Sequence, residues 1–341
     1  MRNKVLFSIF SMILLVLFVP TLVSALEPSE EYPVDHYTVQ EGQDEVLKYL
    51  SDKGLKYNIG SPKYVEFLDS VSTLNLSSYN QRLMNAYAGI YLMKQEDYFF
   101  SSDNGFDKDK DKEQFFKLDK EYLQKTFKEV RESNEQKNVE LEKEIQDSEL
   151  KNKIVGQAKA TASSSFDRAK AKKYIDNNWN KTSNSRFGYF GGSGGDCTNY
   201  VSQVIYAGGK KMNYTGKSGL SQFSSNTKGW YSSVYRSPTG NWSTILYSTS
   251  WVRVVDFYAY WSRGSKVYTG LSASQVSKKV STGDVIQAYN KDNGGWFHTV
   301  VVYDVNKKGE TRYSGHSRAH KYAHLSKEFK GKGYKFRVIK M

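Results

Sequence analysis

The sequence predicts an α+β domain that is preceded by an all-helical segment. Apolar residues recur at helical spacing in the first half of the chain, and strand-like alternation begins after Gly283 in the second half. The charge also changes sign between the halves. Residues 26–150 contain 27 acidic and 16 basic side chains, whereas residues 151–341 contain 9 acidic and 31 basic ones. At roughly 100–200 residues per domain, the chain is long enough for two such units.

The first 25 residues have the pattern of a secretory signal peptide. Arg2 and Lys4 form a basic head, the run from Val5 to Val19 is almost wholly apolar, and small residues lead up to Ala25. We expect cleavage after Ala25, which would leave a secreted protein, extracellular or associated with a cell wall, without stable membrane insertion. The alternative is an uncleaved anchor helix, which the short apolar run and Pro20 disfavour.

Residues 26–157 form the predicted acidic helical domain, which ends in a long charged helix starting near Asp109. Its role stays open between a spacer, a wall-binding helix pair and an inhibitory segment. Residues 158–165 are small and polar and are predicted to be a linker. Residues 166–341, rich in aromatic residues, Gly and Ser, form the second predicted domain.

The single cysteine of the chain lies where a glycine-rich turn leads into a predicted helix. Residues 191–195 precede Asp196 and Cys197, and Tyr200 and Val204 belong to the apolar stripe that follows. In the first turn of a helix, unpaired N–H groups and the helix dipole lower the pKa of a thiol. Cys197 is therefore the candidate nucleophile, and its own backbone N–H is a candidate oxyanion donor. The alternative is a buried, inert cysteine. One cysteine excludes an internal disulfide framework and a multi-cysteine metal site.

A predicted strand carries the candidate general base, His298. A Lys-Lys-Gly sequence before Glu310 predicts a hairpin turn into the next strand. If Asp304 pairs with Glu310, His298 faces His316, although a register slip of one or two residues is left open. His316 is then the candidate that orients His298, which completes a pattern of nucleophile, base and orienting group. The alternative for His298 is a partly buried strand histidine without a chemical role.

Three histidines, His316, His320 and His324, are spaced by four and would align for a metal on one helix. Gly315 and the strand-like residues before it argue against a helix there, and no His-Glu-x-x-His pattern accompanies them. We expect neither a metal nor another cofactor.

The residues around Cys197 resemble the putative amidase domain of secreted bacterial proteins, a family similar to papain-like cell-wall peptidases and amidases. The resemblance covers roughly residues 166–330 and rests on the following residues: Phe166 to Ala171, Trp179, Gly194 to Gln203, Ala207 to Gly209, Ser250-Trp251, Gly283 to Val285 and His298-Thr299. It implies a papain-like domain with Cys197 on a helix as nucleophile and His298 on an antiparallel sheet as general base and later acid. His316 would be the orienting residue. The sequence departs from the family pattern at Arg318 and His320, where an acidic or amide residue often follows.

The leading functional hypothesis is a secreted cysteine amidohydrolase or peptidase that cleaves an amide bond in peptidoglycan. Asp196, Trp251 and Trp296 are candidate substrate-binding residues. Aromatic side chains such as those of the two tryptophans can stack on sugar rings and extended peptides. The alternatives are a non-catalytic cell-wall-binding module with the same fold and a secreted cysteine protease acting on proteins. The basic half predicts peptidoglycan or another anionic wall polymer as partner. Nucleic acid is not expected, because the chain carries no nucleic-acid motif.

Overall fold

The computed structural model describes residues 32–74, 80–100, 115–154, 165–181, 186–190, 196–217, 223–225, 227–241, 243–316, 319–329 and 333–341. The predicted signal peptide (1–25), most of the predicted linker (158–165) and the glycine-rich residues 191–195 lie outside the described residues. We call the described residues from 34 to 154 the helical region and those from 165 to 341 the sheet region.

The helical region contains five α-helices and a short 3₁₀ helix among its described residues. They are α1 (Val39–Asp52), α2 (Pro62–Ser70), the 3₁₀ helix (Val71–Thr73), α3 (Gln81–Phe100), α4 (Lys120–Leu123) and α5 (Phe127–Ile154). Side chains cap the starts of all five α-helices, with Asn80 and Asp119 accepting the third backbone N–H of α3 and α4 at 3.1 and 2.7 Å. Thr38 and Glu41 form a capping box at α1, Ser61 caps α2, and Thr126 with Glu129 repeats the box at α5.

The core of the helical region is rich in tyrosine. Tyr64, Tyr87 and Tyr91 are fully buried, and the Tyr64 and Tyr87 hydroxyls lie 3.0 Å apart. The Tyr87 hydroxyl donates to Gln43 Oε1 at 3.0 Å, so these buried polar groups are paired. The region therefore has its own packed interior, which holds α2 and α3 in fixed positions.

The sheet region alternates helices and strands. In chain order it contains α6 (Arg168–Asn178), α7 (Asp196–Ala207), β1 (Phe223–Ser224), β2 (Ser232–Arg236), β3 (Ser243–Ser248), α8 (Thr249–Val252), α9 (Val254–Trp261), β4 (Val267–Leu271), α10 (Ala273–Val276), β5 (Val285–Asn290), β6 (Gly295–Val305), β7 (Thr311–Gly315), β8 (His320–His324), α11 (Leu325–Glu328) and β9 (Tyr334–Ile339). The mixed helix-and-sheet class predicted from the sequence is confirmed. Among the described residues, no helix has both the length and the apolar character that crossing a bilayer requires.

Two sheets form from these strands. The larger one has the order β4-β9-β5-β6-β7-β8 with antiparallel neighbours throughout. The smaller one has the order β1-β3-β2, with β1 parallel and β2 antiparallel to β3. Helix α7 packs on one face of the larger sheet, where Val201 and Val204 share a core with Val285, Val301 and Ile339. The opposite face has a core of its own.

The predicted pairing of Asp304 with Glu310 is wrong by one to two residues. Asp304 pairs with Arg312, and Val301 pairs with Ser314. The cause lies in the turn, where the Asn306 side chain accepts the backbone N–H groups of Lys308 and Glu310 at 2.9 and 3.0 Å. This keeps Glu310 in the turn, and a bulge between Val302 and Asp304 then changes the register along the strand.

The helical and sheet regions are packed into one compact unit, Val34–Met341. Phe100 at the end of α3 contacts Phe190 and Tyr247, with ring centroids 5.7 and 5.9 Å apart. Core residues are therefore shared across the predicted domain boundary.

Candidate functional site

Cys197 is the second residue of α7 and is almost fully buried, with 2% of its surface exposed. Its sulfur lies 3.6 Å from Thr198 Oγ1. Burial, with smaller contributions from the nearby carboxylates of Glu96 and Asp69, raises the pKa of the Cys197 thiol to about 12. The Thr299 backbone N–H and the Thr198 hydroxyl act in the opposite direction but do not compensate. The lowered pKa that the helix position predicts is therefore not found in this structure.

The first turn of α7 is fixed against strand β6. Thr198 Oγ1 donates to Thr299 Oγ1 at 3.1 Å, and Gln287 Nε2 of β5 donates to the same Thr299 oxygen at 3.0 Å. Thr299 is the residue after His298, and its backbone N–H lies beside the thiol of Cys197. The first turn of α7 therefore lies against the strand that carries His298.

His298 lies in β6 opposite Ala288 of β5 and is 7% exposed. Its Nδ1 is 3.5 Å from Asp69 Oδ1, a carboxylate of the helical region. Its Nε2 points toward Gly315, where an added Cβ would lie 4.0 Å away. Asp69 therefore occupies the place beside Nδ1 that the sequence assigns to His316.

His316 lies just after β7 and is held by other groups. Its Nδ1 is 2.7 Å from Asp196 Oδ2, and its Nε2 is 3.2 Å from the Asn178 carbonyl oxygen. The ring stacks on Tyr200 of α7, with centroids 3.9 Å apart. Both ring nitrogens face acceptors other than His298, so in this structure His316 does not orient His298. It fixes the first turn of α7 instead.

Asp196 is buried and fully engaged by protein groups. Its Oδ2 faces His316, and its Oδ1 accepts the Phe190 backbone N–H at 3.2 Å and the Asn199 side-chain amide at 3.0 Å. Its contacts are structural here, in contrast to the predicted contact with substrate.

The two candidate tryptophans have different surroundings. Trp251 is fully buried, its indole N–H donates to Asn199 Oδ1 at 2.8 Å, and its ring stacks on Phe187. It supports α7 from the core and does not face a cleft. Trp296 is half-buried and lines a groove of about 590 Å³ between β6 and α5, together with Glu142. Of the two, only Trp296 lies where a ligand could contact it.

The three histidines considered for a metal are not on a helix. His320 and His324 lie at opposite ends of β8, and His324 Nδ1 is 3.4 Å from Glu310 Oε2. Within the described ranges, no group of three or more His, Cys, Asp or Glu side chains is arranged to hold a metal ion.

Sequence reasoning missed the two carboxylates that face the site from the helical region. Glu96 of α3 is 5% exposed, and its Oε2 accepts the Val254 backbone N–H at 3.0 Å. Asp69 follows Leu68 on the buried side of α2. A carboxylate beside the apolar stripe of a helix is the one local signal that could have singled out Asp69.

Comparison with known proteins gives one match. A family model described as "Putative amidase domain" matches residues 165–339, which is about half of the chain. The matched range contains Cys197, His298 and His316 but neither Asp69 nor Glu96. No curated protein and no solved structure matches the chain.

Proposed function

The chain belongs to the putative amidase domain family, and from this premise we propose that it is a secreted cysteine amidase that cleaves an amide bond of peptidoglycan. The family supports hydrolysis of an amide in general terms. One observation supports the finer proposal: the Thr198–Thr299 contact holds the first turn of α7, which carries Cys197, against the strand that carries His298. A nucleophile on a helix and a base on an antiparallel sheet is also the arrangement of a papain-like hydrolase.

The proposed reaction passes through a thioester. His298 accepts the thiol proton as Cys197 Sγ attacks the amide carbonyl carbon, and the carbonyl oxygen takes the negative charge. Backbone N–H groups at the start of α7 stabilise this oxyanion. His298 then gives its proton to the leaving nitrogen as the C–N bond breaks. In the second half, His298 takes a proton from water, the hydroxide attacks the thioester carbon, and the C–S bond breaks as the carboxylic acid leaves. His298 then returns its proton to the sulfur, which restores the thiol.

Asp196 and His316 are proposed as positioning residues for this reaction. Their 2.7 Å contact and the stacking of His316 on Tyr200 hold the turn that carries Cys197. They act through the backbone of α7 and not by contact with the reacting atoms.

The charge of the chain supports a wall substrate. Residues 151–341 carry 31 basic and 9 acidic side chains, which attract polyanions. The signal-like N-terminus supports secretion, where anionic cell-wall polymers are abundant polyanions. Peptidoglycan or a polymer attached to it is therefore the proposed partner.

The test is release of new amino groups from purified wall sacculi by the mature chain. Cys197→Ala should abolish release without unfolding the protein, whereas His324→Ala, a strand histidine away from Cys197, should leave it unchanged. A chain whose thiol reacts with iodoacetamide but which releases no amino groups would contradict the proposal. Release from casein but not from sacculi would favour a cysteine protease.

The deep burial of Cys197 favours a second candidate, a non-catalytic wall-binding module. Co-sedimentation with sacculi distinguishes it. Tight binding that Cys197→Ala does not change, together with no release of amino groups, is expected for a binding module.

A further inference from the structure

We propose that the helical region is an intramolecular inhibitor, which docks on the sheet region and covers Cys197 and His298 until it is displaced. This inference rests on the proposed function, because only an enzyme needs to be kept inactive. It gives a role to the half of the chain that the family match leaves unassigned.

The first support is the position of Asp69 and Glu96. Asp69 of α2 lies 3.5 Å from His298 Nδ1, and Glu96 of α3 is buried near Cys197. Burial raises the pKa of Glu96 well above its usual range, and where this carboxyl is ionised its charge raises the pKa of the Cys197 thiol. Both carboxylates come from outside the matched family range, so the helical region reaches the surroundings of both residues.

The second support is access. Cys197 is 2% exposed and His298 is 7% exposed. A substrate carbonyl must reach the sulfur at close range for attack to occur. In this arrangement neither side chain is open to a polymer such as peptidoglycan.

The third support is a polar anchor at the loop between β5 and β6. Arg82 of α3 makes three hydrogen bonds of 2.7 to 3.0 Å to Asp292, whose side chain is 1% exposed. Asn293 Nδ2 donates to the Ala86 carbonyl oxygen at 3.0 Å, and its own carbonyl oxygen accepts from Asn134 Nδ2 at 2.7 Å. This loop leads directly into the strand that carries His298.

The surfaces at this anchor approach closely. A Cβ added at Gly89 of α3 would lie 2.4 Å from Asn293 Nδ2. A Cβ added at Gly294, whose φ is +68°, would lie 2.5 Å from the Arg131 carbonyl oxygen. Glycine at both positions permits a contact as close as a protein core, which is typical of a specific docking interface.

The test measures alkylation of Cys197 by iodoacetamide in the folded mature chain, together with release of amino groups from sacculi. Arg82→Ala removes the anchor at a distance from the thiol. The matched control is Arg312→Ala, which removes an arginine from the Arg312–Asp304 pair within the sheet region. Asn293→Ala is a second variant that leaves no buried charge unpaired, in case Arg82→Ala does not fold.

We expect Arg82→Ala and Asn293→Ala to be labelled about tenfold faster than the wild type, with Arg312→Ala unchanged, because weakened docking increases local opening. Release of amino groups should rise in parallel. Two results would overturn the proposal: wild-type labelling as fast as in the denatured chain, or folded anchor variants labelled no faster than Arg312→Ala. Faster labelling with no release by any variant would support the covering of the thiol and overturn the amidase function. Equal release by wild type and variants would leave the amidase function standing and overturn the inhibitor.

Discussion

Two opposing effects act on the Cys197 thiol. At an exposed helix start, the dipole stabilises a negative charge by about 0.3–1 kcal/mol. Burial can move a pKa by 3–5 units in a fully buried group, and each unit corresponds to about 1.4 kcal/mol. Desolvation is therefore the larger effect, which agrees with a pKa raised to about 12. The groups that bury the thiol, and not the helix on which it lies, therefore determine its pKa in this structure.

Glu96→Gln should lower the pKa of Cys197. The glutamine keeps an oxygen that can accept the Val254 N–H but removes the carboxylate charge that opposes the thiolate. The thiolate then forms at lower pH, so the alkaline part of the curve of iodoacetamide labelling against pH, where Glu96 is ionised in the wild type despite its raised pKa, should shift to lower pH. The remaining groups around the thiol, Asp69, Thr198 and Thr299, are unchanged.

The matched control for this variant is Glu132→Gln, an exposed glutamate of α5 whose side chain is 57% exposed. It should leave the labelling curve in place. An upward shift in Glu96→Gln, or an equal shift in both variants, would show that Glu96 does not act on the thiol through its charge.

At the scale of single residues, the sequence predicts local secondary structure but not the contacts between residues that are far apart in the chain. The glycine-rich turn and the apolar stripe place Cys197 in a first helical turn, and the structure confirms this helix as α7. Strand alternation places His298 in β6, which is also confirmed. Asp69 reaches His298 only because α2 packs beside the sheet, and no spacing in the sequence connects those two residues.

The register between β6 and β7 shows the same limit of sequence-based prediction at the scale of whole elements. A turn sequence indicates that a hairpin exists, but its register depends on which side chain holds the turn. Here Asn306 accepts two backbone N–H groups and keeps Glu310 out of the ladder. A slip of one residue reverses which face a side chain occupies. The His316 ring accordingly meets Asp196 and Tyr200 of α7, where the sequence predicted His298.

Gly294→Ala should weaken the docking of α5 on the β5–β6 loop. Its φ of +68° is unfavourable for alanine, and the new methyl would meet the Arg131 backbone. Gly309→Ala is the matched control, because Gly309 has a φ of +75° with no heavy atom within 4 Å of an added Cβ. Both variants lose the same backbone freedom, and only Gly294→Ala adds a clash.

We expect urea denaturation to show Gly294→Ala less stable than Gly309→Ala by about 1–3 kcal/mol, the range for overpacking. Labelling of Cys197 should be faster only in Gly294→Ala. Equal stability and equal labelling in the two variants would mean that this loop contact does not hold the helical region in place.

At the scale of the whole molecule, the charge difference between the two halves also favours their packing on each other. The sequence reads as two units with different partners, since residues 26–150 carry a net charge of −11 and residues 151–341 a net charge of +22. The structure shows the acidic part packed on the basic part within Val34–Met341. Asp97 of α3 pairs with Arg253 of the sheet region, which is the arrangement that this charge difference favours. The two oppositely charged halves therefore bind each other within the chain.

High salt should weaken the attraction between the helical and sheet regions, to the extent that long-range charge interactions hold them together. Raising KCl from about 0.1 M to about 1 M shortens the Debye length from about 10 Å to about 3 Å, so exposed charges on the two halves no longer attract. Labelling of Cys197 in the folded chain should then increase several-fold. The partly buried Arg82–Asp292 pair is screened less, so release should stay incomplete and labelling should remain slower than in Arg82→Ala. The same salt series with free N-acetylcysteine corrects for the effect of KCl on alkylation itself. Labelling that slows at high salt would show instead that apolar contacts hold the two regions together, since salting-out strengthens burial.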